Sequence, residues 1–387
     1  MNFDVVVVGA GLVGTCFARA ARGMSLALVG QAPGGAAVAT AGIFDSRVYA
    51  LTPANVALLR ALKVWQTMPA ERLTPVHAMR VYGDDGSSVL EFDAYEAGVP
   101  ELAWIVEDAP LQVALWRGLD VRDQVEFFGG GECERLEPAD GHLAVALRGG
   151  RILRARLVVG ADGAHSFVRA QAGIAVRERP YGQTAVVANF ACERPHRNVA
   201  YQWFQGGPVL ALLPLPGSHV SMVWSLPDAE AARVLALAPA ELAREVEVAS
   251  RRALGELTVV GAPRGFALRR VTARRMVGER IALMGDAAHV VHPLAGQGAN
   301  LGFQDAAELA RVLAAREPVR DPGDPRLLRR YERARAEPVL AMDLTVHGLY
   351  RLFQARGGAV ARLRNAGLNL TNHLAVLKNI LMRQAMG

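Results

Sequence analysis

Val5 to Val8 are four consecutive valines, and they run straight into Gly9-Ala10-Gly11-Leu12-Val13-Gly14 and then TCFARAARG. A β-branched run with no polar alternation belongs to a strand covered on both faces, as in a parallel sheet. The period then becomes helical at once, so the chain must turn sharply between strand and helix. Gly9 permits that turn, Gly11 admits close backbone approach to a pyrophosphate, and Gly14 lets the helix pack against the strand. Leu12 and Val13 fall in the first helical turn, whose N–H groups and positive end favour an anion. Glycine supplies 39 of 387 residues, so the triplet carries little by spacing alone; its place after the valines gives it weight. The pattern predicts an α/β, Rossmann-like nucleotide-binding unit. Cys16, inside the same helix, reads as packing.

In such a unit the second strand ends in an acidic residue that holds the adenosine ribose. Here SLALV is followed by Gly30 and Gln31. Gln31 offers a ribose hydroxyl a neutral and weaker bond, and no arginine stands there to suggest a 2′-phosphate. Similar grammar recurs at RLVVGA, which runs into Asp162-Gly163 with Ser166 and Arg169 on the helix expected next. An Asp-Gly at a strand's carboxyl end suits a ribose or ribitol hydroxyl, and it equally suits a β-turn with a helix cap. A further strand, Ile281 to Met284, leads into Gly285-Asp286, which places Asp286 at the sheet edge where doubly wound folds bind ligands. Pro293, Gly296, Gln297 and Gly298 then predict a tight turn. A helix starting near Gly298, Ala299 and Asn300 would aim its positive end at the ligand. Asp286, His289 and His292 could be drawn as a metal cluster. A catalytic zinc site needs three protein ligands, and Asp286 has a use at the strand end, so no metal is expected. Backbone groups are expected to satisfy His289.

Composition narrows the classes. With 51% hydrophobic and 21% charged residues, the chain can build the cores of two or three domains and is not disordered. It holds no apolar run of about 18 residues and no charged leader before an apolar stretch, which predicts a cytoplasmic protein. Cys16, Cys133 and Cys192 are too widely spaced for a disulfide framework or a metal set. The net charge is +6, but lysine occurs only at Lys63 and Lys378 and the arginines form no block. No nucleic-acid partner is expected; attraction to an anionic membrane surface stays open.

Taken together, the chain resembles the single-component FAD-dependent aromatic monooxygenases, in the branch of the ubiquinone-biosynthesis hydroxylases. The segments that carry this are GAGLVG, DSRVYAL (Asp45 to Leu51), LAWIVEDAPLQVAL (Leu102 to Leu115), GADGAHSFVR, GDAAHVVHPLAGQGANLGFQDA, YERAR (Tyr331 to Arg335), LRNAGLNL and MRQAMG. GADGAHSFVR and GDAAH…GQG are specific in combination. The resemblance implies FAD as cofactor, NADH or NADPH as a transient electron donor, and O2. It implies that Gly9, Gly11 and Gly14 contact the pyrophosphate and Asp286 the ribitol or phosphate side. Arg47 and Gln112 would add FAD contacts, and Asp162 would serve both FAD and the nicotinamide donor. Gly296, Gln297, Gly298, Ala299 and Asn300 would lie near the flavin pyrimidine ring, with His292 and Pro293 on the substrate side. The implied activity is hydroxylation of an electron-rich ring through a flavin C4a-hydroperoxide, on a polyprenylated phenol or quinone precursor.

The implied architecture is a para-hydroxybenzoate-hydroxylase-like FAD-binding domain in three pieces, 1–75, 100–180 and 270–330. A β-sheet substrate domain comes from 76–99 and 181–269, and a helical C-terminal segment from 331–387. VHAMRVYGDDGSSVLEF reads as a hairpin around Asp85-Gly86. Tyr201, Trp203, Phe204 and Trp224 suit either a substrate pocket or ordinary sheet packing, and packing is favoured. DPGDP breaks the chain before a helical tail, where Leu370, Leu374, Leu377 and Leu381 keep helical spacing. That face would dock on its own domain, on the inner face of a membrane, or on a partner in a biosynthetic complex or a homo-oligomer. Rival activities on the same scaffold are an isoprenoid reductase and a soluble-phenol hydroxylase. A halogenase is disfavoured because VWSLP departs from W-x-W-x-I-P. A rival of another class is a catalytically silent lipid-binding subunit, the reading that Gly30 favours.

Overall fold

The computed structural model describes residues 1–34, 43–85, 87–119, 125–292 and 298–354. Pro293, Gly296, Gln297, Gly86 and the leucine-bearing tail with LRNAGLNL and MRQAMG lie outside the described residues. The four valines fall in strand Asn2–Val8, and Val5, Val6 and Val7 are fully buried. Parallel strands flank it on both sides, Leu26–Gly30 and Ile152–Gly160. Beyond these, Val125–Gly129 pairs with Leu26–Gly30 and Ile281–Leu283 with Ile152–Gly160, also in parallel. The central strands Asn2–Val8 and Leu26–Gly30 have almost no solvent face, which is why their sequences do not alternate, whereas Val125–Gly129 and the first half of Ile152–Gly160 keep exposed positions. Helices Leu12–Ala20 and Gly298–Ala314 cover the sheet. They approach closely because Gly302 lies against Val13, where an added Cβ would come within 2.5 Å of Cγ2.

The second large sheet is almost wholly antiparallel and is built around two long strands, Val176–Cys192 and Leu257–Ala273. The hairpin Ala78–Tyr82 with Val89–Asp93 joins its far edge through Val199–Phe204. Tyr201, Trp203, Phe204 and Trp224 are all buried. Trp203 stacks on Tyr82 and Tyr201 at 5.4 and 5.7 Å, in a core shared with helices Asp228–Leu235 and Pro239–Ala249. These aromatics are sheet packing.

One short segment joins the two sheets. Ile281–Leu283 belongs to the parallel sheet, whereas His289–Val290 pairs with Val271 and Thr272 of the antiparallel one. Asp286 therefore lies on the crossing between them. The long helix Pro325–Gln354 begins before the 331 boundary read from the sequence. Asp324 fixes its start by accepting the N–H groups of Arg326 at 2.7 Å and Leu327 at 3.4 Å, with Pro325 in the first helical position, where its missing N–H costs nothing. Among the described residues, no helix is long and apolar enough to cross a membrane.

Candidate cofactor and substrate site

Steric exclusion builds the amino-terminal turn. A Cβ on Gly9 would overlap the Ala161 carbonyl, and one on Gly14 would overlap the Gly9 carbonyl. Gly9 also holds φ +110°, a conformation that side chains rarely adopt. Gly11 has open space where a Cβ would stand. Helix Leu12–Ala20 starts at Gly11 with no side-chain cap and no acidic residue in its first turn. The N–H groups and positive end of this helix thus face an open site suited to an anion. Gly30 lies against the same turn: an added Cβ would come within 2.8 Å of the Ala10 nitrogen. This backbone excludes an acidic side chain at position 30, and Gln31, the first residue after the strand, is exposed.

Arg47 is held by a different device. Glu107 is 1% exposed and accepts from the Asp45 N–H at 2.7 Å and from Arg72 at 2.6 Å. Asp45 in turn accepts from the N–H groups of Arg47 at 3.0 Å and Ala109 at 3.1 Å. The turn before Val48–Leu51 is thereby fixed to helix Asp108–Trp116, which carries Gln112. Gln112 donates to both Asp108 oxygens at 3.0 Å, and the Arg47 guanidinium lies 5.0 Å from the Phe266 ring centre. Nothing in local spacing marked Glu107; its partners come from two other segments.

Asp162 accepts from the Val168 N–H at 3.1 Å through one oxygen, and its other oxygen is buried without a hydrogen-bond partner. Ser166 caps helix Phe167–Gln171 instead of lying on it. Arg169 reaches from that helix to the Ala164 and Ala287 carbonyls, each at 2.8 Å, which fixes the Asp162 turn to the Asp286 turn. Asp286 is exposed, yet the protein around its carboxylate costs it enough hydration to raise its pKa, against the pull of His289, Arg47 and Arg269.

His289 is satisfied by a carboxylate, not by backbone. Its Nε2 lies 2.6 Å from Asp305, a fully buried residue that also accepts from the Gly285 N–H at 2.9 Å and Arg335 at 2.6 Å. Burial disfavours charge on both groups, but mutual attraction prevails: His289 is raised and Asp305 lowered. Asn300 is likewise occupied through its side chain. Its oxygen accepts from the Thr52 N–H at 3.0 Å and Asn55 at 2.8 Å, and its nitrogen donates to the Ala50 carbonyl at 2.8 Å. Its backbone N–H, with those of Gly298 and Ala299, belongs to the first turn of helix Gly298–Ala314.

His292 is buried, 3.4 Å from Gln183 and edge-on to Tyr181 at 4.7 Å. His347, from the long helix, lies 6.3 Å from the same tyrosine. Burial, with His347 adding, pushes His292 down to about 4. Tyr181, Gln183 and His347 went unmarked in the sequence because no motif includes them.

Residues 2–343 match a family described as an FAD binding domain. The chain belongs to this family. Across 99% of its length it is 36% identical to the ubiquinone hydroxylase UbiL of Rhodospirillum rubrum, 89% of which is covered. It is 33% identical to the 3-demethoxyubiquinol 3-hydroxylase of Escherichia coli, over 99% of this chain and 98% of that one. Among solved structures it resembles PqsL of Pseudomonas aeruginosa, described as a probable FAD-dependent monooxygenase, with TM-score 0.79 and 25% identity over 95% of this chain and 99% of that one. The resemblance read from the motifs is borne out, and this member of the FAD-binding-domain family is an FAD-dependent enzyme. Its cleft fits FAD on its own evidence: an uncapped helix start over open space at Gly11, and an unpartnered Asp162 oxygen.

Proposed function

We propose that this protein is an FAD-dependent monooxygenase that hydroxylates the aromatic ring of a polyprenylated phenol or quinone precursor in ubiquinone biosynthesis, with NADH or NADPH as donor. The observation that carries this is the crossing from Ile281 to Val290, which brings Asp286 between the two sheets of a chain similar end to end to ubiquinone hydroxylases. When bound, FAD supplies the redox and oxygen chemistry.

The chain's own residues do the rest. Gly11 and the first turn of Leu12–Ala20 would receive the pyrophosphate, and Gln31 a ribose hydroxyl. Asp162 and Asp286 would accept hydroxyl protons, with Arg47 and Gln112 as further contacts. The backbone of Gly298, Ala299 and Asn300 would favour negative charge developing nearby. His292 is neutral at pH 7, so it forms a desolvated wall on the substrate side and does not serve as an acid there. Such a substrate resides in the bilayer, and we place the protein at the inner face of the membrane, in contact with it or with a biosynthetic complex.

The test is to purify the protein, measure FAD per chain, and follow O2 and NAD(P)H consumption with a prenylated phenol. Near-stoichiometric FAD with hydroxylated product is expected. FAD that cannot be loaded even in excess sinks the reading, and turnover without O2 consumption points to a reductase.

A further inference from the structure

Between the end of strand Leu257–Ala273, the strand His289–Val290 and the long helix lies a cavity of about 260 Å³. Its apolar wall is formed by Val271, Met276, Val291, Ala336, Val339 and Leu340. Two acidic residues in the lining are engaged with the surrounding protein: Glu332 accepts from the Met276 N–H at 2.8 Å, and Asp343 from Arg270 at 2.8 Å. Arg274 and Arg275 stand exposed at the mouth. Leu340, at the lip, is 57% exposed, and Leu344, one helical turn further, is 59% exposed. Two of its lining residues, Val291 and Asp343, stand close in sequence to a histidine pair. Val291 precedes His292, Asp343 lies one helical turn before His347, and the rings of His292 and His347 flank Tyr181.

We propose that this cavity is a subsite for the isoprenoid tail of the substrate, whose ring would lie beyond the Tyr181, His292 and His347 side chains. The inference rests on the reading of a prenylated substrate given above. An apolar cavity of about 150 Å³ takes benzene, so this one holds on the order of two isoprene units. A longer tail leaves past Leu340 and Leu344. The apolar wall offers water few partners and offers hydrocarbon much, since each buried methylene is worth roughly fourfold in affinity.

The test compares 2-farnesylphenol with 2-methylphenol on the FAD-loaded protein and on Ala336→Phe, which fills the cavity from an exposed helix position. The expected result is at least a tenfold fall in the ratio of kcat/KM for the farnesyl over the methyl substrate, expressed mainly in KM. Equilibrium dialysis of 2-farnesylphenol should show the same loss of binding. A ratio within twofold of wild type, with dialysis unchanged, overturns the subsite. If Ala336→Phe does not retain FAD, Leu340→Gln at the lip decides instead, with about a fivefold loss of farnesylphenol binding expected and no loss overturning the subsite. Wild-type protein that binds and hydroxylates neither phenol defeats the underlying reading, whereas one that accepts both, with an unchanged ratio in the variants, defeats the subsite alone.

Discussion

The turn at Gly9–Gly14 and the turn at Gly285–His292 do similar work by different physics. Each follows the end of a parallel strand, Asn2–Val8 in one case and Ile281–Leu283 in the other, and precedes a helix that covers the sheet. The first is shaped by missing side chains: Gly9, Gly14 and Gly30 let backbone lie where a Cβ would overlap it. The second is shaped by charge, with buried Asp305 holding the Gly285 N–H, His289 and Arg335 together. Steric shaping is indifferent to pH, whereas buried ionic shaping titrates and depends on every partner being present.

Removing the centre of the ionic turn tests this contrast most severely. Asp305→Ala leaves Arg335 and His289 buried without their carboxylate and is expected to cost about 3–5 kcal/mol of unfolding free energy. A denaturant titration showing under about 1 kcal/mol would break the comparison. The two histidines give the next effect. His289 titrates above its ordinary 6.5, so its contribution is complete below that pH and is lost as pH rises through the folded value. His292 titrates at about 4, so its contribution is present above about 6.5 and is lost as pH falls toward 4, by up to about 3 kcal/mol. Stability measured from pH 4 to 9 should therefore lose its alkaline limb in His289→Gln and its acid limb in His292→Gln.

The steric turn should respond without any such limb. Gly14→Ala is expected to cost about 1–3 kcal/mol and to lower FAD retention equally at pH 6 and pH 8. A pH-dependent loss would show that the two turns are not separate in kind. The smallest effect belongs to Gln31→Glu, which restores a carboxylate at the first side chain clear of Ala10. FAD affinity, read by flavin fluorescence, should rise a few-fold; a fall would mean that position 31 does not face the ribose.

The two turns also differ in how far the sequence revealed them. Gly9, Gly11 and Gly14 belong to one strand–turn–helix unit, so their place directly after the four valines located them. Asp286 was legible for a similar reason, as the residue following a short apolar strand. The ionic turn was not legible, because Asp305 meets partners 16 and 30 residues away, distances to which no local period corresponds. His289 was accordingly assigned backbone partners. The aromatics Tyr201, Trp203 and Trp224 fitted either a pocket or a core, since alternation places a residue on a face without saying what covers that face. Gly30 read as a missing acidic residue; the proximity of Ala10 gives the physical reason for its absence.

Asn300 carries a consequence for how the molecule is made. Its amide holds Ala50, Thr52 and Asn55, which precede it by 250, 248 and 245 residues. During synthesis the amino-terminal strand and helix can form early, but the cleft wall near Thr52 must await a partner that leaves the ribosome almost 250 residues later. Loop closure over that separation is slow. The nascent chain thus displays a half-built cleft for most of its translation, on the order of 10–50 seconds at common elongation rates. During that interval, chaperones and free FAD would compete for the same exposed surface.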